Sequence, residues 1–152
     1  MVVLGGRDAD GRDIIGFEMF DLKTETWVEK PEWEMAQGRY RSENQTPFSF
    51  PIARIFKMHF FLNCSFCAVP VNQTALLIIG GYSNNGALSS VELLDTVSGR
   101  WETYPDLPRA RYGHSCLMME WVGKEGILVS GGALTGNQVD FLNLKTKRFR
   151  DK

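Results

Sequence analysis

Only three cysteines and two histidines occur in the 152 residues, and no long uninterrupted apolar run. Cys64, Cys67 and Cys116 make an odd count, which does not suggest a disulfide framework. Cys64 and Cys67 have C-x-x-C spacing, but no second pair follows, and His59 and His114 sit in unrelated contexts. A zinc site needs four converging ligands, so no metal is expected. Charge of one sign is lacking too: 17 basic residues face 18 acidic ones, a net charge of −1. That leaves no global field to draw nucleic acid or anionic lipid, and neither is an expected partner. The terminal cluster Lys145, Lys147, Arg148, Arg150 and Lys152 reads as a solvated turn and tail. Residues 58–71 are apolar, but Asn63 and Pro70 interrupt them and they fall short of the ~20 residues of a membrane helix. Met1-Val2-Val3-Leu4-Gly5-Gly6 has no basic region leading into a long apolar core, so no secretory signal is read there and the cytosol is the expected compartment. Asn44-Gln45-Thr46, Asn63-Cys64-Ser65 and Asn72-Gln73-Thr74 fit the glycosylation pattern, which matters only if a longer chain carries a signal.

What the chain has is self-similarity. Three apolar runs end in a glycine pair: Val2-Val3-Leu4-Gly5-Gly6, Leu77-Ile78-Ile79-Gly80-Gly81 and Leu128-Val129-Ser130-Gly131-Gly132. Each is followed by one type of short segment, Phe17–Asp21, Val91–Asp95 or Val139–Asn143, and six residues past its last position stands an aromatic: Trp27, Trp101 and Phe149. The runs are short, rich in β-branched residues and bounded by turn formers, so they predict buried strands. The terminal Asp21, Asp95 or Asn143 predicts a side-chain-capped turn, and the aromatic opens the next strand and covers the core between sheets. A further strand precedes the glycine pair, running from Arg109 to Met118 before Ile127, and its counterpart starts at Met35–Arg41. The expected unit is therefore a four-stranded antiparallel sheet, with Trp27 and Trp101 buried between successive sheets.

These copies resemble kelch repeats in the strand-ending double glycine, the Val-Glu-x-x-Asp strand, the tryptophan six residues on and the Arg-x-x-His strand. The resemblance covers residues 1–41 and 66–150, with Phe149 and Asn143 as mild departures. It implies an all-β fold, a kelch-type β-propeller fragment of about two and a half four-stranded blades. The expected organisation is 1–41, a partial blade and the start of the next; 42–65, an insertion foreign to the repeat; 66–108, a blade; and 109–152, an incomplete blade. A propeller usually has four to eight blades, so the remaining blades are expected from a longer chain.

The insertion follows from spacing: 51 residues separate Gly80 from Gly131 but 75 separate Gly5 from Gly80, an excess of 24. Arg39-Tyr40 is aligned with Arg111-Tyr112 and Cys67 with Cys116, leaving Ser42–Ser65 over. Five of the ten phenylalanines lie in it. Translated non-coding or splice-variant sequence, a surface excursion and an amphipathic binding helix around Ile52, Ile55, Phe56 and Phe60 all remain open.

Catalytic constellations are not expected. His114 and Ser115 are adjacent on a predicted strand and point to opposite faces, as do Glu18 with Asp21 and Glu92 with Asp95. Gly131–Asn137 lacks the lysine of a phosphate-binding loop. Kelch-like copper oxidases of sugars share only the blades, and no cofactor is expected. The resemblance implies a protein-interaction module with a protein partner of unknown identity, such as the substrate-recognition propeller of a cullin-type ubiquitin-ligase adaptor or a scaffold. An extracellular or enzymatic propeller acting on carbohydrate is the alternative. In resembling adaptors the residue after the double glycine and those beside the strand's arginine line the mouth. The matching positions are Arg7, Tyr82, Ala133, Arg39, Tyr40, Arg111 and Tyr112, with Asn84 and Asn85 in the second loop. The tyrosines equally suit packing between blades, and both residue types anchor interfaces.

Overall fold

The computed structural model of the chain describes residues 2–7, 9–10, 12–21, 24–29, 33–35, 48–49, 59–60 and 65–149. Strands β1 (Val2–Arg7), β2 (Asp13–Asp21) and β3 (Thr26–Glu29) form a three-stranded sheet in chain order. Strands β4 (Phe48–Ser49) and β5 (His59–Phe60) pair with each other. Strands β6 (Cys67–Pro70), β7 (Ala75–Ser83), β8 (Gly86–Asp95) and β9 (Trp101–Tyr104) make a four-stranded middle sheet. Strands β10 (Ser115–Trp121), β11 (Lys124–Ser130), β12 (Val139–Asn143) and β13 (Arg148–Phe149) make a four-stranded last sheet. Every pairing is antiparallel, and the described residues contain no α-helix.

The repeat holds at the level of register. The aromatic of each copy lies opposite the residue just before the turn-starting Asp or Asn: Phe20 with Trp27, Leu94 with Trp101, Leu142 with Phe149. That turn is built as its chemistry requires. The Asp95 Oδ1 accepts from the Val97 and Ser98 amides, each at 2.9 Å, and the Asn143 Oδ1 from the Thr146 amide at 2.8 Å. The Ser98 amide, then the Val97 amide, hold the Asp95 carboxyl below its usual range. In the first two copies the register also slips at the first glycine of the pair, between Leu4 and Gly6 and between Ile79 and Gly81. A bulge there needs a residue free to adopt positive φ, and Gly80 does so at 53°.

Strand alternation divides the middle sheet's side chains between two cores. Leu77, Ile79, Val91 and Tyr104 face the last sheet and pack with its Ile127, Val129 and Leu142. Leu76, Ile78 and Leu94 face the other way, with Trp33, Met35 and Phe66, and Trp101 packs against them. Phe149 likewise packs into the core that its sheet shares with the preceding one. The aromatic of a copy thus covers the side towards the previous sheet. Trp27 departs from the expected burial, being 50% exposed, and it belongs to the first sheet in chain order. On the far face of the last sheet Leu117, Trp121 and Val139 are exposed, with Trp121 edge-on to Phe141 at 5.2 Å between centroids.

Cys67 and Cys116 are joined in a disulfide, with Cα atoms 6.1 Å apart. The odd count had concealed a pair. The alignment of Cys67 with Cys116 is also corrected by the ladders. Cys67 lies opposite Ile79, one residue before its glycine pair, whereas Cys116 lies opposite Val129, two before. By register Cys67 corresponds to Ser115. One residue flips the face of a strand, so the two sulfurs point at each other, whereas equivalent positions would point the same way round the stack. Most of the expected insertion, 42–65, lies outside the described residues.

Candidate functional site

The segment linking the middle sheet to the last one, Arg111-Tyr112-Gly113-His114, is wedged between both glycine pairs. The Gly81 amide donates to the Arg111 carbonyl and the Ala133 amide to the Tyr112 carbonyl, each at 2.9 Å. A Cβ on Gly80 would stand 2.8 Å from the Arg111 carbonyl oxygen and 2.9 Å from His114 Cε1. One on Gly132 would stand 2.8 Å from the Tyr112 carbonyl oxygen and 2.9 Å from His114 Cβ. The Arg-x-x-His and double-glycine motifs are therefore two halves of one contact, which admits no side chain on Gly80 or Gly132.

Among the expected mouth residues, the structure brings Tyr82, Tyr112 and Ala133 together. Tyr112 bridges Ala133 across an antiparallel pairing, and its ring meets that of Tyr82 edge-on, 4.8 Å between centroids. Asn84 and Asn85 are exposed in the two-residue turn between β7 and β8. The Ser83 hydroxyl accepts from the Asn85 amide at 3.2 Å and fixes that turn. Arg7 ends β1 opposite Asp13. Arg39 and Tyr40 lie outside the described residues.

Arg111 is a correction to the expected contact set. It is 0% exposed, and its guanidinium is committed: Nη2 donates to the Asp140 carboxylate, and Nη1 to the Gly131 and Gln138 carbonyls, each at 3.4 Å. A side chain so enclosed cannot touch a partner, and its role is to hold the loop after Gly132. Thr135, also buried, clamps the same loop from within: its hydroxyl bonds the Gly131 carbonyl at 2.8 Å and the Gly132 carbonyl at 3.1 Å.

That held loop presents a residue the sequence reading passed over. Leu134 is 72% exposed at a φ of 74°, a left-handed conformation that costs a leucine on the order of 1–2 kcal/mol. Only its neighbours over-determine it. An apolar residue in a Gly-Gly-Ala-Leu-Thr-Gly turn was the available signal. For Asp140 the signal was a charge at the second position of a buried strand.

His114 is buried, whereas its neighbour Ser115 is exposed, so the two share no face. Burial first, then the Arg111 charge, push the imidazole down to about 4. The Ile79 backbone opposes this shift, although neither ring nitrogen meets it, or any other group, in full hydrogen-bond geometry. A ring held neutral and enclosed is a packing element. Among the described residues no group of three or more His, Cys, Asp or Glu could hold a metal ion, and no helix is long and apolar enough to cross a membrane.

The Kelch motif family matches residues 63–108, the segment that folds as the middle sheet. Kelch-like protein 36 of Rattus norvegicus, and likewise those of Mus musculus and Bos taurus, is 37% identical over 60 residues. The match spans 40% of this chain and 9% of each relative. With the glycine pairs and the repeated register already in place, this match marks residues 63–108 as a kelch motif, and the four-stranded antiparallel sheets are those of a kelch-type β-propeller.

Proposed function

We propose that the chain is a protein-interaction module and not an enzyme, with its recognition surface at the loop ends beside the glycine pairs. The observation that carries this reading is the contiguous patch of Tyr82, Tyr112, Ala133 and Leu134 on a loop clamped from beneath by Arg111 and Thr135. Asn84 and Asn85 supply amide donors and acceptors at the next turn. Aromatic anchors on a rigid support suit binding, because little order is lost on association. Arg7 and Tyr40 extend the patch by repeat equivalence, whereas Arg39, aligned with Arg111, takes that residue's supporting role beneath it. In the longer protein the module serves as the substrate-recognition part of a cullin-type adaptor, a role resting on the kelch resemblance. The test is quantitative affinity purification of the full-length protein from cells, wild type against Tyr112→Ala and Leu134→Asp. Loss of a common set of partners, with recovery of a cullin unchanged, is the expected result. An unaltered partner set in both variants overturns the assignment of the patch.

The Cys67–Cys116 bond favours a second reading, an extracellular propeller, because disulfides persist in oxidising compartments. Asn72, an exposed acceptor candidate in the turn between β6 and β7, discriminates. A glycan on Asn72 of the protein recovered from its native cells supports the extracellular reading.

A further inference from the structure

Two half-buried cysteines face each other across the core between the middle and last sheets, one on the first strand of each. Their Cα separation of 6.1 Å lies in the range a disulfide accepts without moving the backbone. The rest of that core does not depend on the bond. Leu77, Ile79, Val91, Ile127, Val129 and Leu142 fill it, and free thiols at its margin pack as small apolar groups. Both redox states are therefore compatible with one fold. What the bond changes is the hold on the segment before it: Cys116 lies two residues past His114, at the end of the stretch that carries Tyr112.

We propose that Cys67 and Cys116 form a reversible dithiol–disulfide clamp between the two sheets, whose oxidant is a small-molecule disulfide of the glutathione class. The thiolate of one cysteine attacks the oxidant's disulfide, forming a mixed disulfide and releasing one reduced thiol. The second cysteine's thiolate attacks the protein sulfur of that mixed disulfide and expels the second thiol. Two protein thiols are oxidised, the oxidant is reduced to two thiols, and the two protein protons are taken up by those products. Both cysteines are only partly buried, which leaves a small disulfide a route that a fully enclosed structural bond would exclude. The clamp closes a loop spanning a sequence separation of 49 residues, so it restrains the unfolded chain as well as the native joint.

The test uses the full chain carrying Cys64→Ser, equilibrated without denaturant in reduced and oxidised glutathione at a series of ratios. Free thiols are alkylated and the protein weighed. A single two-electron transition is expected, to a product lighter by two hydrogens and containing the Cys67–Cys116 cross-linked peptide, with melting raised by about 5–10 °C. In Cys116→Ser, with Cys64→Ser retained, that product is absent and Cys67 stops at the glutathione mixed disulfide. Thiols that stay free in excess oxidised glutathione overturn the clamp. So does a disulfide that resists excess reduced glutathione while the protein is folded, which would make it a permanent structural bond.

Discussion

Arg111 and Asp140 form an ion pair in which the guanidinium is fully enclosed and the carboxylate side chain is 12% exposed. The pair ties the segment entering the last sheet to its third strand, and the same arginine holds the Gly131 and Gln138 carbonyls. Removing either partner strands the other charge in a dry site. Arg111→Ala and Asp140→Ala are each expected to cost about 3–5 kcal/mol in denaturant unfolding, and the double variant distinctly less than the sum. Additive losses would show that the two side chains do not act together.

The enclosed His114 makes stability depend on pH. Its folded value, pushed down to about 4, lies below the 6.5 of an exposed imidazole, so the unfolded chain binds the proton more readily. The group's full contribution is present above pH 6.5 and is lost as pH falls towards 4, with no further loss below that. The difference corresponds to about 3 kcal/mol at most. His114→Phe is expected to flatten that limb of a plot of unfolding free energy against pH between 4 and 6.5. An unchanged slope would place the titration elsewhere.

Two glycines separate close approach from backbone strain. Gly80 and Gly136 have similar φ values of 53° and 58°, but a Cβ on Gly136 meets nothing within 4 Å. Gly136→Ala is expected to cost about 1 kcal/mol, the left-handed penalty alone. Gly80→Ala adds a clash with the Arg111 carbonyl and the His114 ring and is expected to cost about 3 kcal/mol. Equal losses in thermal or chemical unfolding would mean that the Arg111–His114 segment yields freely.

The sheet order, the capped turns at Asp95 and Asn143 and the pairing position of each aromatic, though not the burial of Trp27, were legible in the sequence because they are set locally, by alternation and turn chemistry. Which way a side chain faces around the stack was not. The Cys67 alignment failed by one residue because glycine spacing does not report the ladder: the hairpin joining β6 to β7 and the one joining β10 to β11 differ in length. Arg111 was read as a surface anchor because its burial depends on Asp140, twenty-nine residues away, and no local pattern records that partnership. Leu134 was missed for the opposite reason. Its exposure is fixed by clamps on its neighbours and not by its own type.

The turn before each aromatic holds a feature that composition hides. Four residues after Asp21, Asp95 and Asn143 stand Glu25, Gly99 and Lys147, with φ of 53°, 70° and 50°. All three copies place a left-handed residue there, two positions before the aromatic, yet only the middle copy uses glycine. Lys147 is anchored where it stands: its ammonium pairs with Glu102 and lies 4.8 Å over the Tyr104 ring. Glu25 is exposed. A glycine at that position relieves the Cβ contact of the left-handed backbone, an effect that outweighs the added freedom of the unfolded chain. Glu25→Gly is therefore expected to stabilise the first sheet by about 0.5–1 kcal/mol, against the usual sign for a glycine substitution. Gly99→Ala is expected to destabilise the middle sheet by about 1 kcal/mol for the same reason. Hydrogen exchange at the β2–β3 and β8–β9 amides reads the two sheets separately. Faster exchange in β2–β3 of Glu25→Gly would show that the first-sheet turn does not share the conformation of its counterparts.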